Sequence, residues 1–96
     1  MKPVTFSLDY DGTFTSDPEL WLEFIKLAHQ RGHKVVCVTM RHPAEVHEAL
    51  FDPRLKALVN VYPTSREAKK AHMRKQGVNI HIWIDDVPEW IFEGGK

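Results

Sequence analysis

Four short apolar runs, VTFSLD (4–9), KVVCVT (34–39), ALVNVY (57–62) and IHIWID (80–85), are spaced along the chain with helix-like segments between them. Their Val, Ile, Phe and Trp content favours strands. Strands that alternate with helices leave few architectures open, because each strand is joined to the next through a crossover that makes the pair parallel and right-handed. The pattern predicts a β-α-β-α-β-α-β order and hence an α/β fold. The first helix is predicted over 18–30, where Leu20, Trp21, Phe24, Leu27 and Ala28 share one face. Ser16-x-x-Glu19 reads as its capping box, with Asp17 and Pro18 in the first turn and Gly32 as its stop. A second, shorter helix is expected from Pro43 to just before Pro53. A third is expected after a Thr64-x-x-Glu67 capping box and before Gly77.

At 96 residues the chain has room for one domain, taken as 1–96, and it shows no repeat, low-complexity stretch or linker. It is 43% hydrophobic and 27% charged, as soluble domains are, and no apolar run approaches the roughly 20 residues of a membrane helix. With no signal-peptide pattern either, a cytoplasmic protein without a membrane partner is expected. Net charge is zero, so bulk charge does not argue for a polyanionic partner, although basic residues concentrate in REAKKAHMRK (66–75). That run reads first as a solvated helix face, with nucleic-acid binding as the minority reading. Cys37 is the only cysteine, which excludes an intramolecular disulfide and a cysteine zinc cluster and suits a buried strand position. The histidines are poorly spaced for zinc: Gly32 separates His29 from His33, and His42 and His47 are misaligned on a helix. Trp21, Trp83 and Trp90 read as core or interface aromatics.

Function in a parallel sheet collects at the carboxyl ends of its strands. Strand one ends in Asp9, with Asp11 two residues on. Strand two ends in Thr39, followed by Met40 and Arg41, and strand four ends in Asp85-Asp86. Carboxylates gathered this closely need a cation, and oxygen-only ligands suit Mg²⁺, which keeps positions open for phosphate oxygens. A carboxylate such as Asp9 can attack phosphorus, a second such as Asp11 can move the proton, and Thr39 can hydrogen-bond the phosphate. A lysine would offset the added charge, and Gly12 would let the chain turn sharply after Asp11. Taken singly, these residues have plainer readings. Asp9 and Asp11 suit a strand-ending turn, Asp86 suits a helix N-cap before PEWIF, and Arg41 suits a surface charge.

Taken together and in order, Asp9-Tyr10-Asp11-Gly12-Thr13, Thr39, Lys69 or Lys70, and Asp85-Asp86 resemble the four motifs of the haloacid dehalogenase (HAD) superfamily, over residues 4–90. The resemblance implies a Rossmann-like fold with a four-stranded parallel sheet in the order 3-2-1-4. It implies a Mg²⁺-dependent phosphatase working through an aspartyl-phosphate on Asp9. Asp11 is then the general acid/base, with its backbone carbonyl on the metal, and Asp85 is a metal ligand. Asp86, Gly12 and Thr13 support the site, and Thr39, Met40 and Arg41 form the phosphate-binding stretch. Lys69, near the start of its helix, is favoured over Lys70, which lies about 100° further round. Neither gap between motifs has room for a cap domain, so a minimal capless member is implied. Its open site would take a phosphorylated small molecule or macromolecular end, including a polynucleotide end. Two other classes compete. One is a phospho-accepting receiver-type module, whose acid pair would come first and whose lysine last. The other is a binding domain that keeps the fold without turnover. Trp90 and Phe92 leave the oligomeric state open, since they can pack on the core or on a second copy.

Overall fold

A computed structural model describes residues 2–95 of the chain. Four strands, β1 (Thr5–Leu8), β2 (Lys34–Thr39), β3 (Asn60–Pro63) and β4 (Ile82–Ile84), form one parallel sheet in the order β3-β2-β1-β4. Among the described residues five α-helices connect or follow them: α1 (Pro18–Gln30), α2 (Pro43–Val46), α3 (Pro53–Leu58), α4 (Lys69–Lys75) and α5 (Glu89–Phe92). The expected α/β architecture and strand order are therefore present. β1 lies between β2 and β4, so the first acidic motif leaves the middle of the sheet.

Side chains alternate across the strands and divide the core in two. Phe6 and Leu8 of β1, Val35 and Cys37 of β2, Val61 and Ile84 face Leu22, Ile25 and Ala28 of α1 and Leu55 of α3. On the opposite face Val36 and Val38 pack with Met73 of α4 and with Tyr62, Val78, Ile80 and Trp83. Burial also pushes the Cys37 thiol up, out of reach of deprotonation, in keeping with a packing role. His33 and His81 tie down the amino end of the sheet, where their Nδ1 atoms accept the backbone N–H groups of Val4 and Thr5.

Several boundaries differ from the sequence reading, each for a local reason. The cap of α1 is Asp17, whose carboxylate accepts the Leu20 N–H at 3.2 Å, and not Ser16. The buried stripe of that helix is Leu22, Ile25 and Ala28, whereas Leu20 and Leu27 are exposed. The helix expected from Pro43 ends at Val46. Beyond it Phe51 drops into the core, stacked 3.8 Å from Tyr10, and the Tyr10 hydroxyl accepts the Asp52 N–H at 2.9 Å. Ala57 and Leu58 belong to α3 and not to a strand, because Asp52 caps a new helix through the Arg54 N–H and Pro53 occupies its first turn. Thr64 and Glu67 form a turn in place of a capping box, and α4 begins only at Lys69. Ser65 and Arg66 in that turn hold φ of 53° and 70°. Among the described residues no helix is long and apolar enough to cross a membrane.

Candidate active site

The ends of β1 and β4, joined by the Asp9 N–H donating to the Ile84 carbonyl at 3.0 Å, bring the two acidic motifs side by side. Asp9 is 6% exposed and Lys69 only 1%. The Lys69 ammonium lies 2.7 Å from Asp9 Oδ1 and 2.5 Å from Asp85 Oδ2, so one buried cation bridges two carboxylates from different strands. Lys69 reaches them because α4 starts at this residue, over the carboxyl edge. Lys70 instead is exposed, with its ammonium 5.6 Å from the Phe92 ring. Of the two lysines, Lys69 is the one that meets the acids.

Thr13 links the motifs a second time. Its hydroxyl lies 3.1 Å from Asp9 Oδ2 and 3.2 Å from Asp86 Oδ1, and it accepts the Asp86 N–H at 3.1 Å. Asp85 Oδ1 accepts the Val87 N–H at 3.0 Å, which orients its carboxylate inward. Gly12 permits the crowding. Its φ is +85°, and a Cβ built there would lie 2.3 Å from Asp86 Oδ2. The turn is closed by the Gly12 N–H donating to Thr15 Oγ1 at 2.9 Å.

Electrostatics follow from this packing. Burial, reinforced by the hydrogen bond with Asp86, raises the Asp9 carboxyl to about 7 against the pull of Lys69. Asp86, accepting that bond, is held below the usual carboxylate range. One carboxylate oxygen from each of Asp9, Asp85 and Asp86 lies within 4.8 Å of the others. Three oxygen donors with no nitrogen or sulfur suit a hard divalent cation such as Mg²⁺.

Asp11 stands apart. Its side chain is 55% exposed and turned to Arg41, whose Nε donates to Oδ2 at 2.9 Å and Nη2 to Oδ1 at 2.8 Å. The expectation that Asp11 faces the same point as Asp9 is not met here, and Arg41 forks a carboxylate of its own chain. Arg41 is braced from behind. Its guanidinium carbon lies 5.2 Å from the Tyr10 ring centre and 5.6 Å from that of Phe51, and Nη1 donates to the Glu45 carbonyl at 3.2 Å. The Asp11 bond raises the Arg41 guanidinium above its ordinary value. Thr39 and Met40 are buried at the end of β2. The Thr39 hydroxyl accepts the Arg41 N–H at 3.3 Å, and Met40 sulfur accepts from the Thr64 hydroxyl at 3.4 Å.

The structure thus gathers Asp9, Thr13, Lys69, Asp85 and Asp86, with Gly12 behind them, and leaves Asp11 and Arg41 paired beside the cluster. Tyr10, Phe51 and the Glu45 carbonyl, which brace Arg41, were not singled out in the sequence as site residues. The aromatic residue inside the DxD spacing was the one available signal. Comparison with protein-family models, curated proteins and solved structures gave no match.

Proposed function

We propose that this chain is a Mg²⁺-dependent phosphomonoesterase of the HAD class, working at an open site through a phosphorylated aspartate. The observation that carries the reading is the buried Lys69 ammonium bridging Asp9 and Asp85 at the carboxyl edge of the sheet. A buried lysine between two acids would be a costly way to stabilise a small core, whereas phosphoryl transfer needs this kind of positioned charge. Bound by Asp9, Asp85 and Asp86, Mg²⁺ would supply neutralisation for an incoming phosphate dianion. A carboxylate oxygen of Asp9 attacks phosphorus, the ester P–O bond breaks, and the leaving alcohol takes a proton from Asp11. Water, giving its proton to Asp11, then attacks the phosphorus of the aspartyl-phosphate and releases inorganic phosphate and free Asp9. Lys69 holds Asp9 and Asp85 in place, and Thr39 and the backbone at Met40 lie at the adjacent strand end where the phosphate oxygens would rest.

The test is hydrolysis of an aryl phosphate with Mg²⁺, with chelator, and with Asp9→Asn. Activity that needs both the metal and Asp9 supports the reading, and undiminished activity in Asp9→Asn removes Asp9 as nucleophile. The Asp11–Arg41 pair favours a second reading, a phosphate-accepting module with slow turnover, since the proton-moving residue is held away from Asp9. A phosphoprotein made from acetyl phosphate that persists for hours would select it. Both readings place a phosphorylated ligand at the same edge.

A further inference from the structure

Arg41 and Asp11 are unequal partners. Arg41 is fixed on three sides: two aromatic rings, the Glu45 carbonyl and its place next to buried Met40. Asp11 is more than half exposed and sits on a turn one residue before the positive φ of Gly12. The guanidinium is therefore a built receptor, presenting its Nε–Nη2 edge, and the carboxylate is its removable occupant. That edge matches a planar or tetrahedral oxyanion bidentately. Lys69, by contrast, is already committed to Asp9 and Asp85 deep in the site.

We propose that the Arg41 fork is a subsite for a second anionic group on the substrate, and that Asp11 occupies it in the free protein as an internal mimic of that group. The preferred substrates are then phosphomonoesters that carry a carboxylate or a further phosphate a few bonds from the ester. Binding of that group displaces Asp11 and releases its side chain toward the phosphate held by Asp9, so the wrong substrate leaves Asp11 where it is. Displacement is feasible because an ion pair this exposed holds by only about fivefold or less, whereas a bidentate bond to a well-braced guanidinium contributes about fiftyfold to a ligand, which leaves about tenfold net. The inference rests on the phosphomonoesterase reading for the position of the ester, but its test measures binding alone.

The experiment compares 3-phosphonopropionate with propylphosphonate, two non-hydrolysable ligands that differ by one carboxylate, by calorimetry in Mg²⁺. Wild type should bind the carboxylate-bearing ligand about tenfold more tightly. Arg41→Ala should bring the two affinities together, and Arg41→Lys, which keeps charge without the fork, should lose most of the difference. Asp11→Asn should tighten 3-phosphonopropionate by about fivefold, and only while Arg41 is present. An unchanged ratio in both Arg41 variants overturns the subsite, as does an Asp11→Asn gain that survives in the Arg41→Ala background. Aryl-phosphate turnover together with an unchanged ratio would refute the subsite and leave the phosphatase standing. No turnover of an aryl phosphate that itself carries a carboxylate, together with a ratio that collapses in Arg41→Ala, would do the reverse. Failure of wild type to bind either phosphonate would overturn both.

Discussion

Gly12→Ala separates backbone strain from crowding in the site, because the chain contains its own controls. Gly12, Gly32 and Gly77 all hold left-handed angles, with φ of +85°, +84° and +73°. A Cβ at Gly32 or Gly77 meets nothing within 4 Å, whereas at Gly12 it would lie 2.3 Å from Asp86 Oδ2. All three alanine variants face the left-handed penalty of about 1–2 kcal/mol. For a domain of this size each kcal/mol lowers the midpoint by about 4–8 °C. Gly12→Ala must in addition push the Asp86 carboxylate back by about 1 Å to reach ordinary van der Waals contact. That movement breaks its contact with Thr13, about 1 kcal/mol more, for a total of about 2–3 kcal/mol. Thermal melts should therefore order the variants wild type, then Gly32→Ala and Gly77→Ala together, then Gly12→Ala lowest. Titration of Mg²⁺ should show affinity falling by about tenfold or more in Gly12→Ala only, through the displaced Asp86. If Gly12→Ala matched Gly77→Ala in both melting and Mg²⁺ affinity, neither the close packing of Asp86 nor its part in the metal group would stand.

Three further outcomes follow from the same geometry. Lys69→Met removes the cation between two buried carboxylates, and urea titration should show a loss of about 3–5 kcal/mol, against about 0.5 kcal/mol or less for the exposed Lys70→Met. The Asp9 carboxyl is raised from 3.8 to about 7 in the folded state, so the folded chain holds a proton that the unfolded chain releases. Its contribution is fully present below about pH 4, is lost as pH rises to about 7 and is level above, and metal-free urea melts of Asp9→Asn should lack that slope. Tyr10→Phe keeps the ring stack on Phe51 but leaves the Asp52 N–H without its acceptor, and should lower stability in thermal melts by about 1–2 kcal/mol without losing the fold.

What could be read in the sequence follows the range over which each signal acts. β2 was legible to the residue because KVVCVT is bounded by Gly32 and by the change to Arg41, and both its faces are buried. The strand order needed the motif-one strand in the middle, which strand periodicity cannot fix and the HAD resemblance supplied. Residues 43–58 were misread because their conformation is set at long range. The Tyr10 hydroxyl, some forty positions away in the chain, accepts the Asp52 N–H and holds the loop that carries Phe51. Helix propensity alone would have carried α2 onward through Glu48, Ala49 and Leu50. The site divides in the same way. Asp9, Asp85 and Asp86 were placed by strand ends, and Lys69 by the start of α4. The direction of Asp11 was not legible, because it depends on a guanidinium thirty residues away that is itself held by Tyr10, Phe51 and Glu45.

For the proposed phosphatase, the charges at this edge would also set an order of events. Asp9, Asp11, Asp85 and Asp86 supply four carboxylates, and Lys69 and Arg41 supply two cations, both already paired with acids. With every acid ionised the edge carries an excess of two negative charges, the charge one divalent cation offsets. The Asp9 proton, retained up to about pH 7, covers half of that excess. A phosphate dianion arriving before the cation would therefore meet repulsion from Asp85 and Asp86 and a protonated, unreactive Asp9. Arriving after it, the same dianion meets a neutral edge, an ionised Asp9 and the Lys69 ammonium. If the proposed function holds, metal-first binding would follow from the acid-to-base count, and phosphonate affinity should rise steeply with Mg²⁺ and be nearly absent without it.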